Sequence, residues 1–316
     1  MFVLLSGSMA YDYIMDFPDS FKNHIMPEQL HILNVCFVVN KLEKNFGGTA
    51  GNIAYTMKLL ESAPIILCPL GNDSHDYVEH LKKNNINCEY IPINKEKMSS
   101  SVQITTDKND NQISAFYSGA GDGAKDLRVK NIKEPLALAL ISPNQKEAMI
   151  NHAKECFDLG IPLCFDPGQQ ITALSGEELK TLIGQAKFLI GNDYEMKLMQ
   201  EKTGWDMAKM LNHVEVVITT LGVKGSVITT KDKTIKVGVC TPNSVEDPTG
   251  AGDSYRAGFF SAYLQGHDYK TCGQVGAVAS AYAVENYGTQ KHKFTVNEFK
   301  ARYEKNFGEA ISFNLK

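Results

Sequence analysis

The segment Asp247-Pro248-Thr249-Gly250-Ala251-Gly252-Asp253-Ser254-Tyr255-Arg256 gathers the residue types needed to hold an anion and move a proton. Gly250 and Gly252 flank Ala251, so the backbone can turn tightly and aim successive N–H groups outward just before an apolar helix. Such a turn at a helix amino terminus is an anion-binding nest. Taken alone, Asp253 also fits a helix N-cap and the glycines a simple turn. An N-cap does not account for Asp247, a second acid placed ahead of the glycines. A carboxylate beside a phosphate-binding nest can take the proton of a hydroxyl that attacks phosphorus. One base, one anion hole and one metal then suffice for phosphoryl transfer.

The elements that must position this segment are short apolar runs: Phe2 to Leu5, Ile65 to Cys68, Leu136 to Ile141, Pro162 to Phe165, Phe188 to Ile190 and Val216 to Thr219. They alternate with amphipathic helices such as His75 to Lys83 and Gln145 to Leu159, which predicts a mostly parallel sheet covered on both faces. The expected core is a doubly wound, three-layer α/β/α arrangement. Val35 to Glu43 and Val102 to Tyr117 instead alternate like half-exposed antiparallel strands. The second stretch carries a hairpin signal at Asp107-Lys108-Asn109-Asp110-Asn111. Both read as a small β-sheet lid, drawn from about 11–43 and 88–117, inserted into a single domain spanning 1–316. A lid beside an α/β sheet implies a cleft that closes on its substrate. A strand pair is expected around Gly222-Val223-Lys224-Gly225, with helices from Asp253 through about Glu285.

The 316 residues are 43% hydrophobic and 22% charged, ordinary for a globular protein, and the net charge of −4 gives no argument for nucleic acid or an anionic membrane. A small-molecule partner is expected. The start, MFVLLSGSMAYD, lacks a basic region and reads as a buried strand rather than a secretory signal. The longest apolar run has six residues, against about 20 for a membrane helix. Seven cysteines without CxxC spacing fit reduced thiols in a cytoplasm. Neither GxxxxGK[ST] nor a helix-opening GxGxxG after the first strand is present, which argues against a P-loop enzyme and a dinucleotide-dependent oxidoreductase.

The Asp247 to Phe260 segment resembles the carboxyl-terminal signature of the ribokinase-like (PfkB) carbohydrate and nucleoside kinases, and further elements follow in that family's order. Gly7 to Asp12 resembles its first-strand element, and Phe46-Gly47-Gly48-Thr49-Ala50-Gly51-Asn52 its Gly-Gly signature. Asn192-Asp193-Tyr194-Glu195 resembles its N-x-x-E element, and Thr220-Leu221-Gly222-Val223-Lys224-Gly225 the turn beneath ATP. The resemblance implies a ribokinase-like fold and makes Asp253 the base, with Gly250, Ala251 and Gly252 as the anion hole. It gives Asp12, Gly47, Gly48 and Asn52 to the acceptor substrate, and Asn192, Glu195, Thr220, Gly222, Gly225 and Arg256 to ATP. Glu195 falls beside Mg2+, while Asp247 and the loop near Asn286 to Thr289 fall beside a monovalent cation such as K+.

Each residue also has a plainer reading. Gly47 and Gly48 could mark a loop before a helix, Asp12 a turn at the end of the first strand, Glu195 a helix-start acid, and Arg256 a solvated or ion-paired helix residue. GGTAGNIAYTMKLL, Phe165-Asp166-Pro167-Gly168-Gln169 and DPTGAGDSYRAGF resemble bacterial adenosine kinase-like members, which implies a nucleoside acceptor with adenosine favoured. The alternative is a sugar kinase of ribokinase or fructokinase type; a catalytically idle ligand-binding protein on this fold is a third reading. Exposed lid edges would suit a homodimer through the lid.

Overall fold

The computed structural model describes residues 1–109 and 111–312; Asp110 of the expected hairpin loop lies outside the described residues. Its strands are β1 (Phe2–Ser6), β2 (Ala10–Asp16), β3 (Lys41–Gly47), β4 (Ala63–Ile66), β5 (Ser100–Thr106), β6 (Gln112–Tyr117), β7 (Leu136–Ile141), β8 (Leu163–Phe165), β9 (Phe188–Asn192), β10 (Val216–Thr220), β11 (Ser226–Thr229) and β12 (Thr234–Val237). Its α-helices are α1 (Thr49–Leu59), α2 (His75–Lys83), α3 (Lys146–Asp158), α4 (Gly176–Gln185), α5 (Asp193–Thr203), α6 (Met207–Met210), α7 (Ala251–Tyr263), α8 (Tyr269–Val284) and α9 (Val296–Phe307). The apolar runs form one eight-stranded sheet in the order β12-β11-β10-β9-β8-β7-β1-β4. Neighbours from β4 to β10 run parallel, and β11 and β12 complete the sheet antiparallel.

Continuous apolar strands are needed because each serves two cores. Val3, Leu5, Leu138, Leu140, Phe188 and Ile190 pack with Ile53, Phe259 and Val278 of α1, α7 and α8. The intervening Leu4, Ala139, Ile141 and Leu189 pack with Met149, Leu179 and Met199 of α3, α4 and α5. A one-residue slip would exchange the two sets, so burial at about 1.5–3 kcal/mol per large apolar side chain also fixes register. No helix among the described residues is long and apolar enough to cross a membrane.

The second, four-stranded sheet has the order β3-β2-β5-β6. The chain enters it from β1 through residues 7–9 and returns from β3 directly into α1, so the first-strand loop and the Gly47-Gly48 pair meet at one junction. Ser8 N–H donates to Pro143 O and Ala50 N–H to Ser8 O, each at 2.9 Å, which pins that junction to the end of β7. The expected strand over Val35 to Glu43 is corrected: β3 begins only at Lys41, where its ladder with Asp16 starts. Phe37 is used differently, since its ring sits 4.8 Å from Phe17 and 5.0 Å from Phe21 between centroids. In the β5–β6 loop, the Asp107 carboxylate accepts from the N–H groups of Phe21, Asn109 and Asn111, which satisfies the turn.

Candidate active site

The chemistry-bearing side chains gather at the carboxyl ends of the parallel strands, the edge where open α/β sheets bind ligands. Gly250 takes φ +78° and caps α7, so the helix starts at Ala251 and Asp253 is its third residue. The N-cap reading of Asp253 is thereby corrected: the capping position needs a left-handed backbone, which glycine supplies without strain. Ala251 N–H turns inward to Pro248 O at 3.2 Å, while the amides of Gly250, Gly252 and Asp253 have no partner among the described residues. The nest is therefore open at those three amides and closed at Ala251. The half-buried Asp253 carboxylate accepts from Asn52 Nδ2 at 2.8 Å. Burial pushes its pKa up to about 6, against the opposing pull of Arg256 and Asn52 and with a further push from Asp166 and Glu195.

Across from it stands Asp12, which is not a turn residue: it lies inside β2, paired in register with Asn45 of β3 and Val102 of β5. Burial, then repulsion from Asp253 and Asp247, raises its pKa to about 7. Two carboxyls that resist ionising together fit a site that receives hydroxyl groups as donors. A Cβ on Gly47 would lie 2.3 Å from Asp12 Oδ2, so glycine is what lets the carboxylate rest against that backbone. Gly48, at φ +84°, precedes α1 and brings Asn52 beside Asp253 one turn later.

Arg256 is ion-paired to Asp166, just past β8, with the two side chains 11% and 1% exposed. It also faces the nest, since a Cβ on Gly252 would lie 2.7 Å from Arg256 Nη1. Arg256 Nε and Asp166 Oδ2 remain without partners among the described residues, so the pair retains one donor and one acceptor for another group. Asn192 and Glu195 form a capping box on α5, with Glu195 N–H donating to Asn192 Oδ1 and Asn192 N–H to Glu195 Oε2, both at 2.8 Å. Burial and the nearby Asp166 raise the Glu195 pKa despite the Asn192 amide. Thr220 is the register partner of Asn192 at the ends of β10 and β9. Gly222, at φ +56°, opens the turn between β10 and β11, and Gly225, at φ +86°, closes it where a Cβ would meet Val237 O.

Asp247 is not left unpaired: Oδ1 accepts from Thr249 N–H and Oδ2 from Gly288 N–H, each at 2.9 Å. Those bonds tie it to the 286–289 loop. Among the described residues no three His, Cys, Asp or Glu side chains are grouped to hold a metal ion. Glu195 and the unsatisfied Asp166 Oδ2 do fit a hydrated Mg2+, which keeps most of its waters and needs few carboxylates. A cavity of about 840 Å³, bordered by Pro162, Lys187 and His213, opens at the amino ends of β8 to β10, away from these groups. A much narrower pocket lies at the nest, among Asn52, Gly250, Thr289 and Gln290. Asp166 as the Arg256 partner, and Gln290 and Tyr77 behind Asn52, are additions that motif spacing did not single out. The helix-interior Gly51 was a usable signal, because a Cβ there would lie 2.1 Å from Tyr77 Oη.

A profile of the pfkB family carbohydrate kinases matches residues 23–295. The nucleoside kinase of Methanocaldococcus jannaschii is 34% identical over 301 residues, covering 95% of each chain. Its crystal structure, described as an archaeal member of the ribokinase family, has a TM-score of 0.88 at 33% identity, over 96% of this chain and 98% of that one. The nucleoside kinase of Methanothermobacter thermautotrophicus is 31% identical, over 97% of this chain and 96% of that protein. The Burkholderia thailandensis nucleoside kinase in complex with inosine has a TM-score of 0.89 at 33% identity, over 98% and 99% of the two chains. That enzyme has also been solved in complex with ADP-inosine. The two sheets described above are thus a ribokinase-like α/β fold.

Proposed function

The chain belongs to the pfkB family of carbohydrate kinases, a family of phosphotransferases, and from that premise we propose that it transfers the γ-phosphoryl group of ATP to the 5'-hydroxyl of a nucleoside. The observation that carries the reading is Asp253, the third residue of a glycine-opened helix, held by Asn52 and electrostatically opposed to Asp12. Kinship with nucleoside kinases supports the acceptor class. Adenosine is the preferred purine nucleoside in this reading, with inosine, the ligand of the Burkholderia enzyme, as its nearest competitor.

In this mechanism Asp12 accepts the sugar hydroxyls while the Gly47-Gly48 backbone closes against the ring. Asp253, ionised above about pH 6, takes the 5'-hydroxyl proton as the oxygen attacks the γ-phosphorus. The bond from that phosphorus to the β–γ bridging oxygen breaks, and ADP leaves. The free amides of Gly250, Gly252 and Asp253, with Arg256, receive the charge on the transferring group. Glu195 and Asp166 would hold Mg2+, which screens phosphate charge when bound. Asn192, Thr220, Gly222 and Gly225 would border ATP, and Asp247 with the 286–289 loop would border K+. The second sheet would close over the cleft and exclude water.

ADP release measured over adenosine, inosine, guanosine, ribose and fructose tests the reading. Turnover with a nucleoside well above that with either sugar is expected, and no turnover with any nucleoside would overturn it.

A further inference from the structure

Behind Asp253 runs a chain of buried hydrogen bonds that the phosphoryl-transfer scheme does not yet use. Asn52 Nδ2 donates to Asp253 Oδ2 at 2.8 Å. Gln290 Nε2 donates to Asn52 Oδ1 at 3.0 Å and to Tyr77 Oη at 2.9 Å. Tyr77 Oη donates to Gly47 O at 2.6 Å, and Gln290 Oε1 stands 3.1 Å from His80 Nε2.

The direction of this chain is fixed from its far end. A backbone carbonyl can only accept, so the single Tyr77 hydroxyl proton points at Gly47 O and the phenol oxygen must accept from its other neighbour. That neighbour must be the amide nitrogen of Gln290, because an oxygen there would face the phenol oxygen with no proton between them. The second Gln290 proton then meets Asn52 Oδ1, which leaves the Asn52 amide NH2 facing Asp253. His80 must in turn donate from Nε2 to Gln290 Oε1.

Gln290 is 5% exposed and Tyr77 0%, so bulk water cannot replace these bonds. Gln290 also takes φ +57°, a left-handed conformation uncommon for a non-glycine residue and retained where its surroundings demand it. Gly51 makes room for the junction, since a Cβ there would lie 2.1 Å from Tyr77 Oη and 2.9 Å from Gln290 Nε2.

We infer that Gln290 is a positioning residue for the reaction: through Asn52 it keeps a hydrogen-bond donor aimed at the Asp253 carboxylate, with its polarity set by Tyr77 and Gly47 O. The inference rests on Asp253 being the base. Without Gln290, Asn52 is free to turn its oxygen toward Asp253, which disfavours the ionised carboxylate. The other charged or titratable groups acting on Asp253 are Arg256 on its own helix, Asp166, Glu195, Asp12 and Tyr77. Asp247 acts on the neighbouring Asp12. Replacing Gln290 leaves Arg256, Asp166, Glu195 and Asp12 with their partners, while Tyr77 loses the bond from Gln290 Nε2 and His80 its bond to Gln290 Oε1.

The test is the pH profile of kcat/KM for ADP release in Gln290→Met, which keeps an unbranched chain but removes both donors, with Asp253→Asn measured beside it. The acid limb should move up by about one pH unit, roughly a tenfold loss of ionised base at a given acidic pH. At pH 9 activity should recover to within about threefold of the parent, where both bases are ionised. A purely structural role would lower the whole profile without moving the limb, and an unmoved limb overturns the inference. Tyr77→Phe, which keeps the ring, should move the limb the same way by less, and it decides the matter if Gln290→Met does not fold. High activity in Asp253→Asn would instead overturn the base assignment itself.

Discussion

Replacing Gly47 with alanine isolates the contact between the Gly-Gly backbone and Asp12. The added Cβ would lie 2.3 Å from Asp12 Oδ2 and 2.6 Å from its Cγ and Oδ1, so it collides with the whole carboxylate. The strand itself can accept alanine, because Gly47 ends β3 and is not among the positive-φ glycines. The methyl group therefore displaces a side-chain end rather than the backbone. Each hydrogen bond to a charged partner contributes about 1.5–3 kcal/mol. Losing one such bond to a nucleoside hydroxyl, at about 1.4 kcal/mol per tenfold, raises KM by roughly 10- to 100-fold. The change in kcat should be smaller, because Asp253 and the nest are untouched and the lost contact is made in ground and transition states alike. Melting temperature should shift little, since alanine also restricts the unfolded chain by about 0.4–1 kcal/mol. Steady-state ADP release over a range of nucleoside concentrations, with a thermal melt of the same sample, reads both quantities. A KM within about twofold of the parent in a folded variant would refute the placement of Asp12 against the substrate.

Two further outcomes follow from the buried charges. Asp12 has a raised pKa, so its ionised form costs folded-state stability; that cost is complete above about pH 7 and fades as pH falls toward the unfolded value near 4. Asp12→Asn should accordingly raise the melting temperature at pH 8, with the gain shrinking by pH 5 while nucleoside turnover drops; equal melting shifts at both pH values would contradict this. Arg256→Met strands the buried Asp166 carboxylate and should cost about 3–5 kcal/mol in urea unfolding. Arg256→Met with Asp166→Leu should regain most of that stability without regaining turnover, and recovery of both would show the pair to be structural only.

What could be read in advance was whatever has a local physical signature. The apolar runs specify a doubly covered sheet because alternate residues must fill two cores, as Val3 and Leu4 do. The Gly250-Ala251-Gly252 turn was legible because only glycine spacing permits it. Val35 to Val39 misled, because apolar alternation in the sequence cannot tell a ladder from Phe37 entering a ring cluster with Phe17 and Phe21. The place of Asp253 inside the helix depends on the left-handed Gly250, which no letter code reveals. The Asp166–Arg256 pair, 90 residues apart, and the Asp247–Gly288 bond, 41 apart, are made by tertiary closure and leave no spacing to recognise. Gln290 reaches Asn52 across 238 residues for the same reason.

The central claim is that Asp253 accepts the 5'-hydroxyl proton of a nucleoside. It is tested most directly by nucleoside-dependent ADP release in Asp253→Asn, read together with substrate affinity and melting temperature. The amide keeps the size of the side chain and removes the base. Turnover should fall by about 10²- to 10⁴-fold, with affinity for the nucleoside close to that of the parent and thermal stability no lower than the parent's. Near-normal turnover in a stably folded Asp253→Asn protein would contradict the account.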